Sequence, residues 1–183
     1  MDLVEHTVHT GDLELQEVLE RGFEALERTQ PELSTWLGDM TADRNGSITI
    51  EEPQKDPGEF LSSLGYFLSV TVFMVFREAF GKRVRKIEAR ELELAAISFA
   101  TDVELRKADP LEALTTRDWL RLAQPSLVRF VEEHVHDAKT QAPEGVKEDD
   151  FTNLVHCVFI EILALSYAIE APVEKASRPL LLS

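Results

Sequence analysis

The run EFLSSLGYFLSVTVFMVFREAF, residues 59–80, decides how the rest of the chain must be arranged. Wound as a helix of about 3.6 residues per turn, it is apolar almost all the way round, so no broad face is left for water. Such a segment is surrounded by other elements or spans a membrane. Ser62, Ser63, Gly65, Ser69 and Thr71 interrupt it, and the stretch before Arg77 is short of the roughly 20 apolar residues a bilayer requires. The reading is a buried central helix and no membrane span. Its β-branched piece, residues 69–76, is also compatible with a strand.

A helix buried all round needs partners, and the chain offers them on both sides. Residues 147–169 carry LVHCVFIEILALSYAI and read as a second central helix. Its least hydrophobic stripe is Asn153, Cys157, Glu161, Ala164 and Ala168, narrow enough to face water or a closely packed neighbour. Glu161, the one charge within that apolar run, is expected to face water along this stripe. Asp149 and Asp150 stand where the helix begins and complement its dipole.

The remaining segments read as amphipathic covers. In residues 12–29, Leu15, Val18, Leu19, Gly22 and Leu26 recur at helical spacing, while Glu14, Glu17, Glu20, Glu24 and Glu27 fall on the far side as a carboxylate ridge. Pro31 ends that helix, and a short one follows at residues 32–39. Residues 88–107 place Leu92, Ala95, Ala96, Phe99 and Val103 on one face. Thr115 and Asp118 have capping-box spacing, Asp being a shorter substitute for the usual Glu or Gln. Pro125 suits the first turn of a helix whose stripe is Leu127, Phe130, Val131, His134 and Ala138. The expected fold is all-α, a bundle-like domain of five to seven helices over residues 1–172, with a flexible tail at residues 173–183.

One segment resists this scheme. TADRNGSITIEE, residues 41–52, has Gly46 and Glu52 at positions six and twelve of an EF-hand loop. Thr41 stands where a carboxylate is expected, and Pro53 and Pro57 fall in the exiting helix, where proline costs about 3 kcal/mol. Calcium is a poor reading. Asn45-Gly46 followed by alternating Ser-Ile-Thr-Ile suits a small β-hairpin near residues 40–52, against the alternative of an irregular loop.

Charge is the strongest compositional signal. The chain holds 34 acidic and 19 basic residues, a net of −15, which argues against a partner tracked through phosphates, so no nucleic acid is expected. Residues 1–52 contain 13 acidic and 3 basic side chains, whereas residues 77–90 contain 6 basic and 2 acidic, including the run Lys82, Arg83, Arg85 and Lys86. MDLVEHTVHT lacks the basic and apolar regions of a signal peptide, and the single cysteine, Cys157, agrees with a reducing compartment. A cytoplasmic location is expected.

No arrangement of residues reads as a catalytic centre. Glu133 and His136 have the Glu-x-x-His spacing of di-iron bundles but point away from the apolar stripe of their helix. His6 and His9 have no cysteine near them, and His156 and Cys157 are adjacent on a helix, about 100° apart, too far round to act as base and nucleophile. Neither glycine-rich phosphate loop is present. No metal and no cofactor is expected. The leading reading is a non-enzymatic regulator, inhibitor or immunity-type protein that docks a basic protein partner. Glu14, Glu17, Glu20, Glu24 and Glu27 form its first surface, with Asp43 and Glu51 as further candidates, and Lys82, Arg83, Arg85 and Lys86 form a second. The alternative is a small-molecule- or metal-binding protein with an apolar interhelical pocket and His134, His156 or Glu161 as its polar groups. A homodimer through an apolar helix face is a third reading.

Overall fold

The computed structural model describes residues 12–42, 56–108 and 115–170, and over them the chain is all-α. The helices are α1 (Asp12–Thr29), α2 (Pro31–Ala42), α3 (Pro57–Phe80), α4 (Ala89–Ala108), α5 (Thr116–Ala123), α6 (Pro125–Gln141) and α7 (Glu148–Tyr167), with a 3-10 turn Gly81–Arg83 after α3.

Local chemistry explains where they start and stop. Pro31 and Pro125 are the first residues of α2 and α6, where a missing N–H leaves no bond unmade. Asp56 caps α3, its carboxylate accepting from the N–H of Gly58 at 2.7 Å and of Glu59 at 3.1 Å. The capping box before α5 forms despite the short Asp. Asp118 N–H donates to Thr115 Oγ1 at 3.2 Å, and Thr115 N–H donates to Asp118 Oδ2 at 3.1 Å. α3 ends at Gly81, whose φ of +54° favours glycine.

The β-branched piece at residues 69–76 is helical and not a strand. Val70, Thr71, Val72 and Phe73 are all buried in α3, so packing on several sides overrides their strand preference. Of the segment read as a small hairpin, Thr41 and Ala42 belong to α2 and are helical instead; Asp43, Asn45, Gly46, Glu51 and Glu52 lie outside the described residues. The same holds for His6, His9 and the tail at residues 173–183.

α3 and α7 pack against each other, and each of the other helices touches at least one of them. This is the central pair expected from the sequence. Leu68, Val72 and Phe76 of α3 and Phe159, Ile162 and Leu165 of α7 are almost wholly inaccessible. The stretches Pro57–Arg83 and Glu148–Tyr167 are long and apolar enough to cross a bilayer, but 56% of each such window is buried within the protein, as in core helices.

Crowding around α7 overturns one expectation: Glu161 does not face water. It is 0% exposed, and Ala164 and Ala168 of the same stripe are buried as well, while Asn153 at the start of the helix remains exposed. With α2, α3, α4, α5 and α6 all packed on α7, residues 158–165 keep no face for solvent, and exposure returns only at the end of the helix with Tyr167.

A polar clamp closes the fold where chain segments distant in sequence meet. Val84 bridges antiparallel to Ile169, Arg85 N–H donates to Ala168 O at 3.0 Å, and Glu170 N–H donates to Arg83 O at 2.8 Å. Gln30 is 2% exposed; its Nε2 donates to Arg85 O at 3.0 Å and its Oε1 accepts from Ile87 N–H at 2.7 Å. Gln30→Leu strips both bonds and leaves the buried Ile87 N–H unpaired, so it should cost about 1–3 kcal/mol in a urea titration. An unchanged midpoint would show that the clamp contributes nothing.

Candidate functional site

α1 presents the carboxylate ridge as a solvent surface. Glu14, Glu17, Glu20, Glu24 and Glu27 are all exposed. At about 100° per residue they occupy one arc, opposite the face where Leu19 and Leu26 are buried. The Glu17 to Arg21 ion pair at 3.0 Å joins side chains that are 71% and 70% exposed, and such a pair contributes little. Gln16 Nε2 donates to Glu20 at 3.1 Å. Among the described residues, Glu14, Glu24 and Glu27 have no ion pair.

The ridge is firmly backed. α1 approaches α3 so closely that a Cβ on Gly22 would stand 2.6 Å from both Val70 Cγ1 and Met74 Sδ. Phe23 packs on Tyr66 with ring centroids 5.3 Å apart, and the Tyr66 hydroxyl donates to Leu19 O at 3.4 Å. Burial raises Tyr66 above the ordinary phenol range, and the charges of Glu20 and Glu27 add to the effect. The negative field of the ridge thus reaches the underside of its own helix.

The basic run is divided between structure and surface. Arg85 grips Glu91 with both guanidinium nitrogens, Nη1 to Oε2 at 2.7 Å, and also donates to Tyr167 O at 3.4 Å. These hydrogen bonds hold Glu91 below the usual carboxylate range. Arg83 Nε donates to Glu170 O at 3.1 Å, and its guanidinium lies 5.7 Å from the Phe80 ring. Lys82 and Lys86 are exposed and form no ion pair among the described residues. Arg83 is exposed as well, so three of the four cations of the run present charge to solvent.

The polar groups assigned to an interhelical pocket face different neighbours. His134 is half-buried, its Nδ1 2.9 Å from Phe130 O and its ring against Phe67 and Phe130, which makes it a hydrogen-bonded boundary residue. His156 stacks near Phe99, and burial together with the Arg117 charge lowers its affinity for a proton. Glu161 lies in the core opposite Ser69 of α3. Glu133 and His136 are exposed on the outside of α6, and among the described residues no three His, Cys, Asp or Glu side chains gather in a metal-holding group.

Sequence reasoning missed the cluster that ties α5 to α6. Arg117 and Arg121 both donate to Glu132 Oε1, at 2.6 and 2.8 Å. Burial alone would raise Glu132, but these bonds prevail and lower it. Arg117 also lies 5.4 Å from the Phe159 ring, and its Nε is buried without a hydrogen-bond partner. The spacing from Arg117 to Glu132 crosses a helix boundary, so no periodic pattern announces it. Comparison with protein-family models, curated proteins and solved structures finds no match to this chain.

Proposed function

We propose that the protein is a cytoplasmic, non-enzymatic binding module, a regulator, inhibitor or immunity-type protein, that docks a basic protein partner on the α1 ridge. The observation that supports this is the exposure of all five glutamates along one arc of a helix whose other side is locked against α3. A rigid row of carboxylates attracts a cationic surface from a distance, speeds its arrival and repels acidic competitors. Lys82 and Lys86, on a different segment, offer a smaller second contact to acidic groups of the same partner.

The test is a capture experiment with two baits. The wild-type chain and the variant Glu17→Lys/Glu20→Lys/Glu24→Lys are each exposed to a lysate of the source organism at low salt and eluted at high salt. These positions are exposed, so the variant should keep its helical circular dichroism and unfold within roughly 0.5 kcal/mol per site of the wild type. The expected result is a stoichiometric basic protein on the wild-type bait that is absent from the variant. Equal recovery on both baits would refute docking through α1.

A further inference from the structure

Among the described residues, the large apolar side chains left exposed are Leu94, Ile97, Trp119, Leu122 and Tyr167, and all five belong to α4, α5 and the end of α7. In α5, TRDWLRLA, only Leu120 is buried. At about 100° per residue, Trp119 and Leu122 fall on the flank opposite Arg117 and Arg121, which are held by Glu132. The Trp119 ring meets Tyr167 with centroids 6.5 Å apart. Arg85 joins the Tyr167 carbonyl to Glu91, and Leu94 and Ile97 follow Glu91 at one-turn steps along α4. The five side chains thus form one apolar face, each between 45% and 78% exposed.

Together they present roughly 400–500 Å2 of apolar surface, at the upper end of what a solitary protein shows to water. A stable interface buries about 800 Å2 on each partner, a little over half of it apolar, so this face supplies about what one side of a dimer requires. Its rim carries both signs. Arg90 and Glu93 stand beside Leu94, Arg121 beside Leu122, and Glu170 beyond Tyr167, all exposed. In a chain of net charge −15, a rim of two cations and two anions is where like-charged copies meet with least repulsion. A partner strongly of one sign would meet as many repelling as attracting groups there.

We propose that this face joins two copies of the chain in a two-fold dimer centred on Trp119 and Tyr167. A two-fold interface uses the same patch twice, so the mixed rim lets each protomer set its cations against the other's anions. Aromatic side chains suit the dry centre of such a contact. Each chain closes its own core without this face, so dimerisation is a separate, concentration-dependent step and urea titrations at low chain concentration report the monomer. α1 packs on α2 and α3, not on this face, and the inference stands whether or not the α1 ridge docks a protein.

Sedimentation of the full chain from about 1 µM to 1 mM, the range in which weak dimers form, tests this directly. The mass should rise from 20.7 kDa toward twice that value. Added salt should not weaken the association, because apolar burial is not screened whereas the repulsion of the net charge is. Leu94→Glu/Leu122→Glu changes only exposed positions, so it should keep its helical circular dichroism and raise the dissociation constant roughly tenfold or more. The two tryptophans are Trp36 and Trp119, so in Trp36→Phe acrylamide quenching reports Trp119 alone and should fall as the dimer forms. A monomer at every concentration, which leaves the face to residues 171–183 of the same chain or to another protein, would overturn the proposal. So would a dimer that the folded double variant retains, or one whose formation leaves Trp119 quenching unchanged.

Discussion

Glu161→Leu is expected to stabilise the protein by about 1–3 kcal/mol at pH 8 and to flatten its dependence on pH. Glu161 is 0% exposed, and neither carboxyl oxygen has a hydrogen-bond partner. Burial pushes its proton affinity well above the ordinary value of 4.5; the Ser69 hydroxyl opposes the shift but does not reach bonding geometry, and no cation acts on the group. The folded protein therefore holds the proton where the unfolded chain releases it. Stability from this source is complete below about pH 4.5 and is lost as the pH rises toward the raised folded value. The other carboxylates titrate too, so the informative quantity is the difference between wild type and Glu161→Gln across that window. That difference should change steadily with pH as the wild type loses stability. Parallel curves would mean that Glu161 is ionised or solvated in the folded state.

Phe159→Ala is expected to cost about 3–5 kcal/mol, a large share of the roughly 5–15 kcal/mol that holds a domain together. The ring is wholly buried, packs against Phe99 with centroids 6.4 Å apart, and carries the Arg117 guanidinium over its face. Its removal leaves a cavity where α4, α5 and α7 meet and takes the ring from under the Arg117 guanidinium, which keeps its ion pair with Glu132. Leu122→Ala is the matched control. Leu122 is 78% exposed, so its truncation should move the urea midpoint by no more than about 0.5 kcal/mol. A cost below about 1 kcal/mol at Phe159 would contradict the central place given to α7.

Local signals in the sequence located the elements well. Pro125 and the Thr115 to Asp118 box mark starts that the structure keeps, Pro31, read as the end of α1, stands at the break and opens α2, and the two all-round apolar runs became the central pair. The ridge on α1 was legible for the same reason, since 3.6-residue periodicity separates its glutamates from the buried Leu19 and Leu26. What periodicity does not carry is how many neighbours a helix has. The stripe containing Glu161 looks like a water-facing edge until five helices are seen to surround α7. The Gln30 clamp and the Arg85 contact with Tyr167 join residues more than fifty positions apart, which no local pattern encodes. The position of Val84 depends on the same kind of distant contact, its bridge to Ile169.

The most direct test of charge-driven docking is the affinity of the captured partner for the purified protein, measured by titration from about 0.05 to 1 M salt. Screening shortens from roughly 10 Å at 0.1 M to roughly 3 Å at 1 M, so exposed carboxylates lose most of their reach across this range. A steep fall in affinity is expected for the wild type and a clearly shallower one for Glu17→Lys/Glu20→Lys/Glu24→Lys. An affinity that stays constant between low and high salt would contradict charge-driven docking.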